Sequence, residues 1–192
     1  LLLDSRKLLF PTTSLFFALG GPRRSGNSFI AELYEKGVSN FVVDESIAAA
    51  EIKKYSKANF LQVKNVLHAL QLLVTNHRKK FELPVVGITG SNGKTIVKEW
   101  LYQLLQKDFT IVRSPKSYNS QIGVPLSVWQ MNSQHTLGIF EAGISQPAEM
   151  QQLEKMIAPS IGVFTNIGEA HSEGFLNIRQ KINEKLCLFT RS

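Results

Sequence analysis

The chain has 192 residues, of which 43% are hydrophobic and 19% are charged. This composition is too apolar for a disordered chain, and no run approaches the roughly 18 uninterrupted apolar residues that a membrane-spanning helix requires. The single cysteine, Cys187, excludes an internal disulfide and a multi-cysteine metal site, and it fits a reducing compartment. We therefore expect a cytoplasmic protein of one or two domains without membrane insertion.

The net charge is +7, from 22 Lys and Arg against 15 Asp and Glu. Such a charge favours an anionic partner, which could be a nucleotide, a phosphorylated metabolite or nucleic acid. The basic residues fall in short groups with little aromatic interleaving rather than in one long stripe. Ordinary solvated faces explain this distribution better than a nucleic-acid surface, so we expect no nucleic-acid partner.

Short apolar runs predict strands along the chain, at residues 15–19, 41–43, 85–89, 110–112, 137–140 and 161–165. Segments of helical length separate most of these runs. The alternation predicts an α/β architecture with a mainly parallel sheet, at least in the second half of the chain.

A domain boundary is predicted just before Pro84, where a polar helical segment gives way to an apolar strand. Proline restricts the residue before it to extended conformations, so the helix should end there. We predict a small domain at residues 1–82 and a nucleotide-binding domain at 83–192. Because the chain begins without methionine and ends just after an apparent helix, we also expect it to be a fragment.

A glycine-rich loop, Gly-Ser-Asn-Gly-Lys-Thr, follows the strand at 85–89. Its backbone N–H groups can converge on phosphate oxygens, Lys94 can reach the terminal phosphates, and the Thr95 hydroxyl can ligate magnesium. The spacing is a variant, because Ile88 stands where the standard pattern has its first glycine. A structural turn with an incidental Gly-Lys-Thr is the alternative. We predict an ATP-binding loop formed by Gly90, Ser91, Asn92, Gly93, Lys94 and Thr95.

The segment after this loop has apolar residues spaced at i, i+3, i+4, i+7 and i+8. This spacing predicts one apolar face of an amphipathic helix. The residues of that face are Val97, Trp100, Leu101, Leu104 and Leu105.

Two later residues are candidates for the ligand edge of the sheet. Glu141 ends the strand at 137–140, where open α/β sheets bind ligands, and its carboxylate suits magnesium, so it is the natural metal partner of Thr95. Taken alone, it would be an ordinary strand-end acid. His171 lies in a glycine-flanked loop after the strand at 161–165. Taken alone, it would be a hydrogen-bonding loop residue.

Asn119 and Ser120 precede a predicted helix. Polar residues in this position ordinarily cap the helix. A second phosphate site is the alternative interpretation.

Together these motifs resemble those of the Mur ligases, which build the peptide of the bacterial cell-wall precursor. The resemblance covers nearly the whole chain in the family order, at residues 4–7, 14–19, 89–100, 119–126, 141–143, 165–167 and 171–175. It implies a small N-terminal UDP-sugar-binding α/β domain followed by a truncated P-loop ATPase domain. The amine-binding C-terminal domain of the family would be absent from these residues.

The resemblance also implies roles for the candidate site residues. Lys94 would bind the ATP phosphates, Thr95 and Glu141 would hold one magnesium ion, and Glu141 and His171 a second. The family carries a carbamylated lysine that supports the second ion. The matching residue is Lys185, fourteen positions after His171 (185 − 171), with Lys181 on the same helical face as its rival. A solvated helix lysine is the alternative interpretation of either.

Substrate contacts follow from the same resemblance. Asp4, Ser5 and Arg6 would hold the uridine diphosphate end, although this segment could be only a turn. Asn119 and Ser120 would face the sugar-diphosphate part. Ser120 stands where relatives often carry a second asparagine.

The implied activity is ATP-dependent amide formation, joining D-alanyl-D-alanine to UDP-N-acetylmuramoyl-tripeptide through an acyl phosphate in peptidoglycan synthesis, by a monomer. Another Mur ligase that adds an earlier amino acid would keep every catalytic residue. Folylpolyglutamate synthetase shares the ATPase plan, but the segment at residues 4–6 counts against it. A non-catalytic P-loop nucleotide-binding or nucleic-acid-binding module is the alternative from another class.

Overall fold

The computed structural model describes residues 1–21, 25–44, 47–168 and 174–190. It divides into two compact units, Leu1–Leu70 and Gln71–Ser192. The division falls inside a helix, α3 (Val66–Arg78), which ends before Pro84 as predicted. The domain boundary at 82/83 lies further along the chain and stays a prediction.

The first unit contains a parallel sheet with the order β1-β2-β3. Its strands are β1 (Leu15–Phe17), β2 (Asn40–Asp44) and β3 (Asn59–Val63), and its helices are α1 (Ile30–Glu35) and α2 (Ala49–Ile52). The sequence did not predict β3. This strand lies at the edge of the sheet with most of its side chains exposed, so it lacks the apolar run that marks a buried strand.

The core of the first unit is built from side chains of β1, β2 and α1. Phe16 and Phe41 meet edge to face with ring centroids 6.2 Å apart, and Phe41 stacks on Phe60 at 5.1 Å. Ile30 and Leu33 of α1 are buried in the same cluster. Aromatic rings therefore hold the sheet together while α1 covers its face.

Replacing Leu33 with alanine should lower the free energy of unfolding by about 2–5 kcal/mol, because a fully buried leucine leaves a cavity. Denaturant unfolding followed by circular dichroism measures this loss. Leu61→Ala is the matched control, since this leucine of β3 is 60% exposed and should lose less than about 1 kcal/mol. Equal losses in the two variants would contradict the assigned core.

The second unit has a four-stranded parallel sheet with the order β5-β6-β4-β7. Each strand predicted by an apolar run is present, and the α/β architecture with parallel sheets is confirmed. The elements of this unit that follow α3 are β4 (Val85–Thr89), α4 (Lys94–Leu105), β5 (Ile111–Arg113), α5 (Gly123–Val128), β6 (Leu137–Glu141), α6 (Glu149–Ile157), β7 (Ile161–Phe164) and α7 (Ile178–Leu186).

The register of this sheet brings three strand ends together. Ile88 of β4 pairs with Glu141 of β6, and Thr89 pairs with Phe164 of β7. The phosphate loop, the Glu141 side chain and the segment after β7 therefore emerge at one edge, which is where parallel sheets bind ligands.

Helix α4 packs on the sheet with a narrower face than the sequence predicted. Val97, Leu101 and Leu105 contact the apolar cluster of β4 and β6, as expected. Trp100 and Leu104 are 63% and 73% exposed, so their assignment to a packed face was wrong. The helix rests on the sheet through the single i, i+4, i+8 row, and the other two residues point away from it.

No helix in the described part of the chain is both long enough and apolar enough to span a membrane.

Candidate functional site

The phosphate loop depends on two glycines with positive φ, Gly90 at +144° and Gly93 at +81°. Side chains rarely tolerate this backbone, and a Cβ on Gly90 would lie 2.0 Å from Thr165 Oγ1. Gly93 is also the N-cap of α4 and offers no side-chain acceptor to the first N–H groups of the helix. These groups can therefore serve an anion.

The segment after β7 fastens the loop in place. Asn166 accepts hydrogen bonds from two loop N–H groups, that of Ser91 through its main-chain oxygen and that of Asn92 through Oδ1, both at 2.9 Å. Thr165 Oγ1 donates to the Asn92 carbonyl at 2.5 Å, and Gly168 N–H donates to Ser91 Oγ at 3.0 Å. Sequence reasoning assigned these anchors no role, since only the chain's folding brings residues 165–168 beside the loop.

Lysine side chains converge on the loop from two helices. Gly90 O accepts from Lys94 Nζ of α4 at 2.8 Å and from Lys185 Nζ of α7 at 3.2 Å. Lys181 Nζ donates to Gly168 O at 2.6 Å. Lys181 and Lys185 are 1% and 3% exposed, so the interpretation of either as a solvated helix lysine is wrong.

Burial lowers the pKa values of Lys94 and Lys185. Desolvation lowers the pKa of Lys94, opposed by Glu141 and reinforced by the charge of Lys181. Desolvation also lowers the pKa of Lys185 to about 8, with further lowering by the charges of Lys94 and Lys181. At pH 7 roughly a tenth of Lys185 would thus be a neutral, nucleophilic amine.

Glu141 lies fully buried at the carboxyl end of β6. Its Oε2 accepts from Thr95 Oγ1 at 3.0 Å and from Asn119 Nδ2 at 3.5 Å, and its N–H donates to Ser114 Oγ at 3.1 Å. The structure therefore brings together Thr95 and Glu141, as the sequence predicted, and adds Asn119 to them.

The other carboxylate oxygen of Glu141 faces a lysine to which the sequence assigned no role. Lys98 Nζ lies 3.0 Å from Oε1, and both side chains are wholly buried. Oε1 accepts no hydrogen bond from any described residue, so this contact is an ion pair without hydrogen-bond alignment. One feature of the sequence could have indicated this contact: Lys98 lies three residues after Thr95 and therefore on the same side of α4.

The donors at this edge suit a magnesium ion. The Thr95 hydroxyl and the Glu141 carboxylate are hard oxygen ligands, and Oε2, the oxygen that is not paired with Lys98, lies 3.0 Å from the Thr95 hydroxyl. Within residues 1–21, 25–44, 47–168 and 174–190, no three His, Cys, Asp or Glu side chains group into a further metal site. His171 lies outside the described residues, so its predicted place at a second ion stays a prediction.

The two predicted sugar-diphosphate contacts have different surroundings. Asn119 lies beside Glu141, and its main-chain oxygen accepts from Gly143 N–H at 2.8 Å. Ser120 Oγ accepts from Gly123 N–H, the first residue of α5, at 3.1 Å. Ser120 therefore accepts from the first N–H of α5, although the N-cap position itself is Ile122.

Asp4, Ser5 and Arg6 form a compact turn in the first unit. The Asp4 carboxylate accepts from Arg6 N–H at 3.1 Å and from Arg6 Nη2 at 2.8 Å. These bonds lower the pKa of Asp4 to about 2. Ser5 is buried and the Arg6 side chain is exposed. The turn is present, and the substrate role of these residues stays a prediction.

Comparison with known proteins adds solved structures with the same fold. The chain superimposes on a MurF crystal structure from Acinetobacter baumannii with a TM-score of 0.88 and 27% identity, covering 99% of this chain and 40% of that one. A MurF structure from Thermotoga maritima in complex with ADP gives a TM-score of 0.86 and 27% identity, covering 100% and 43%.

Sequence comparison leads to the same group. The UDP-N-acetylmuramoyl-tripeptide--D-alanyl-D-alanine ligase of Borreliella burgdorferi is 35% identical over 189 residues, which are 95% of this chain and 40% of the relative. The chain thus spans about 40% of the length of the curated relatives it matches. The Mur ligase middle domain matches residues 88–192, or 105 (192 − 88 + 1) of the 192 residues. By this match the chain belongs to the Mur ligase family.

Proposed function

We propose that the full-length protein is an ATP-dependent ligase that joins D-alanyl-D-alanine to UDP-N-acetylmuramoyl-tripeptide in peptidoglycan synthesis. The observation that carries the proposal is the hydrogen bond of 3.0 Å between Thr95 and the buried Glu141, beside a glycine loop to which Lys94 donates. The relative from B. burgdorferi bears the name of this activity. The ADP in the T. maritima structure supports a nucleotide at the loop.

In the proposed reaction an oxygen of the peptide carboxylate attacks the γ-phosphorus of ATP and the bond to the bridging oxygen breaks, which releases ADP. The amine of D-alanyl-D-alanine then attacks the acyl carbon, loses a proton and displaces phosphate. Catalysis of phosphoryl transfer consists mainly of positioning and charge neutralisation. Lys94 and the N-terminus of α4 would supply positive potential to the phosphates. Magnesium held by Thr95 and Glu141 would neutralise further charge.

For the second ion we propose that Lys185 is the carbamylated residue. Its amine is buried beside the phosphate loop, and its pKa of about 8 leaves a neutral fraction that can react with carbon dioxide. The carbamate would replace a cation with oxygen ligands for the second ion, to which we propose that Glu141 and His171 also bind. Lys181 is the weaker candidate, because its Nζ is directed to Gly168 rather than to Gly90.

The remaining assignments complete the proposal. Asp4, Ser5 and Arg6 would bind the uridine diphosphate end of the substrate, and Asn119 and Ser120 the sugar-diphosphate part. We propose a cytoplasmic, monomeric enzyme that uses ATP and magnesium.

Phosphate release by the purified full-length protein tests this function. We expect release only when ATP, magnesium, UDP-N-acetylmuramoyl-tripeptide and D-alanyl-D-alanine are all present. Release with a shorter UDP-muramyl peptide and a single amino acid would identify an earlier ligase of the family. Stimulation by nucleic acid with neither substrate present would overturn the ligase assignment.

A further inference from the structure

Lys98 is a wholly buried ammonium on the helix that begins with the phosphate loop. Its Nζ donates hydrogen bonds to the carbonyl oxygens of Ser114, at 2.8 Å, and Lys116. The same atom lies 3.0 Å from Glu141 Oε1. A buried ammonium is unfavourable unless polar partners compensate it, and here the partners are the two carbonyls and the carboxylates of Glu141 and Glu99.

The nearby Glu99 does not account for this buried charge. Glu99 Oε1 lies 3.1 Å from Lys98 Nζ, but it also accepts from Arg113 Nη1 at 2.6 Å. Arg113 in turn stacks over the Tyr102 ring at 4.0 Å. Glu99 is partly exposed and is paired with Arg113, whereas Glu141 is fully buried with its Oε1 3.0 Å from Lys98 Nζ.

The two oxygens of Glu141 therefore have separate partners. Oε1 faces Lys98, while Oε2 accepts from Thr95 and Asn119. Without the ammonium, Oε1 would be a buried charge with no partner, and the carboxylate would turn to share the donors of Oε2. The direction in which Oε2 points thus depends on Lys98.

Lys98 also holds the chain that leads to Asn119. Its bonds to the carbonyls of Ser114 and Lys116 connect α4 to the residues after β5, and Lys116 has a left-handed backbone with φ of +50°. Ser114 Oγ in turn accepts from the N–H of Glu141. One ammonium thereby ties the metal-facing strand end to the segment before Asn119.

We propose that Lys98 is a positioning residue that fixes Glu141, so that Oε2 and Thr95 Oγ1 together face the magnesium ion of the nucleotide. The inference rests on the nucleotide and metal site of the proposed function. Lys98 acts through Glu141 and touches neither the nucleotide nor the ion. Residues that orient a metal ligand in this way typically alter metal affinity by about 10–100-fold when replaced.

The test measures binding rather than turnover. Affinity for a fluorescent ATP analogue is measured on the full-length protein with EDTA and over a series of Mg²⁺ concentrations, and Mn²⁺ binding is followed by electron paramagnetic resonance. In Lys98→Met we expect the half-saturating metal concentration to rise about 10-fold or more, with the affinity in EDTA unchanged. The phosphate loop and Lys94, which serve the metal-free nucleotide, remain intact in this variant.

Two controls separate positioning from general damage. Lys107→Met removes an exposed lysine just beyond α4 and should change nothing. Lys98→Gln can still donate to the carbonyls but lacks the charge, so it should also raise the half-saturating metal concentration. It additionally covers the case in which the methionine variant does not fold.

Several results would overturn the inference. The inference is wrong if Lys98→Met leaves the half-saturating metal concentration unchanged or lowers it. It is also wrong if this variant loses nucleotide affinity in EDTA to the same extent, because that loss indicates a structural role. Full metal affinity in Lys98→Gln would assign the effect to the carbonyl bonds instead of Glu141. If Mg²⁺ did not change the affinity of the unaltered protein for the ATP analogue, the metal site would be wrong, and the proposed function would fail with it.

Discussion

For the proposed ligase reaction of the full-length protein, kcat should fall by about 10²–10³-fold when Lys94 is replaced with alanine, because this ammonium would offset charge that develops on the transferred phosphate. Lys94 now donates to the Gly90 and Ser91 carbonyls, so its side chain already lies over the loop. Its pKa is lowered chiefly by partial burial, which withdraws the charge in part from water. Steady-state phosphate release with both substrates measures the loss.

Lys107→Ala is the matched control for Lys94→Ala, since it removes one positive charge from an exposed site just after the same helix. Its kcat should stay that of the unaltered enzyme. Circular dichroism should show both variants folded. If Lys94→Ala retained more than about a tenth of the kcat, the loop would position a phosphate without the lysine, and the assignment of Lys94 to the transition state would be wrong.

Much of the fold could be predicted from the sequence, because most strands are buried and therefore consist mainly of apolar residues. Strands β4 and β6 are buried along their whole length, and a central parallel strand consists mainly of apolar residues. The edge strand β3 escaped prediction because exposed side chains are not constrained in this way. Trp100 and Leu104 were misplaced for a related reason, since a periodic pattern does not say how wide the contact with the sheet will be.

The candidate site was predictable where chemistry is local to a motif. The loop glycines, Lys94 and Thr95 are contiguous, and Glu141 follows from its position at a strand end. The contacts of Lys98 were not predictable in this way, because the Ser114 carbonyl and the Glu141 carboxylate approach it only through the register of β5 and β6.

The anchoring of the loop was also hidden from the sequence. Asn166 contacts Ser91 and Asn92 across more than 70 intervening residues, and it does so because β4 and β7 are neighbours in the sheet. Every residue has a main-chain oxygen, so a hydrogen bond to the one of Asn166 cannot be predicted from the residue type. Such contacts become visible only with strand order, which the apolar runs alone do not specify.

The Lys185→Ala variant should lose ligase activity by about 10²-fold or more, because a buried carbamate would supply oxygen ligands for the second metal ion. In the proposed modification the amine nitrogen bonds to the carbon of carbon dioxide and releases one proton. Carbon NMR of the protein in isotope-labelled bicarbonate should show a carbamate signal. The signal should be absent from Lys185→Ala and present in Lys181→Met, in which the neighbouring buried lysine is replaced by an uncharged chain of similar length.

The pH dependence of this carbamate follows from the lowered pKa of Lys185. Desolvation, Lys94 and Lys181 bring the pKa to about 8, so the neutral amine grows as pH rises through that value and the signal should be stronger at about pH 9 than at about pH 6. Between about pH 8 and 10.5 an unmodified Lys185 is protonated in the unfolded chain and mostly neutral in the folded one. Its contribution to the free energy of unfolding therefore rises with pH over this range. A signal that persisted in Lys185→Ala and vanished in Lys181→Met would transfer the modification to Lys181. With no signal in any variant at any pH, the oxygen ligands of the second ion would have to come from residues other than either lysine.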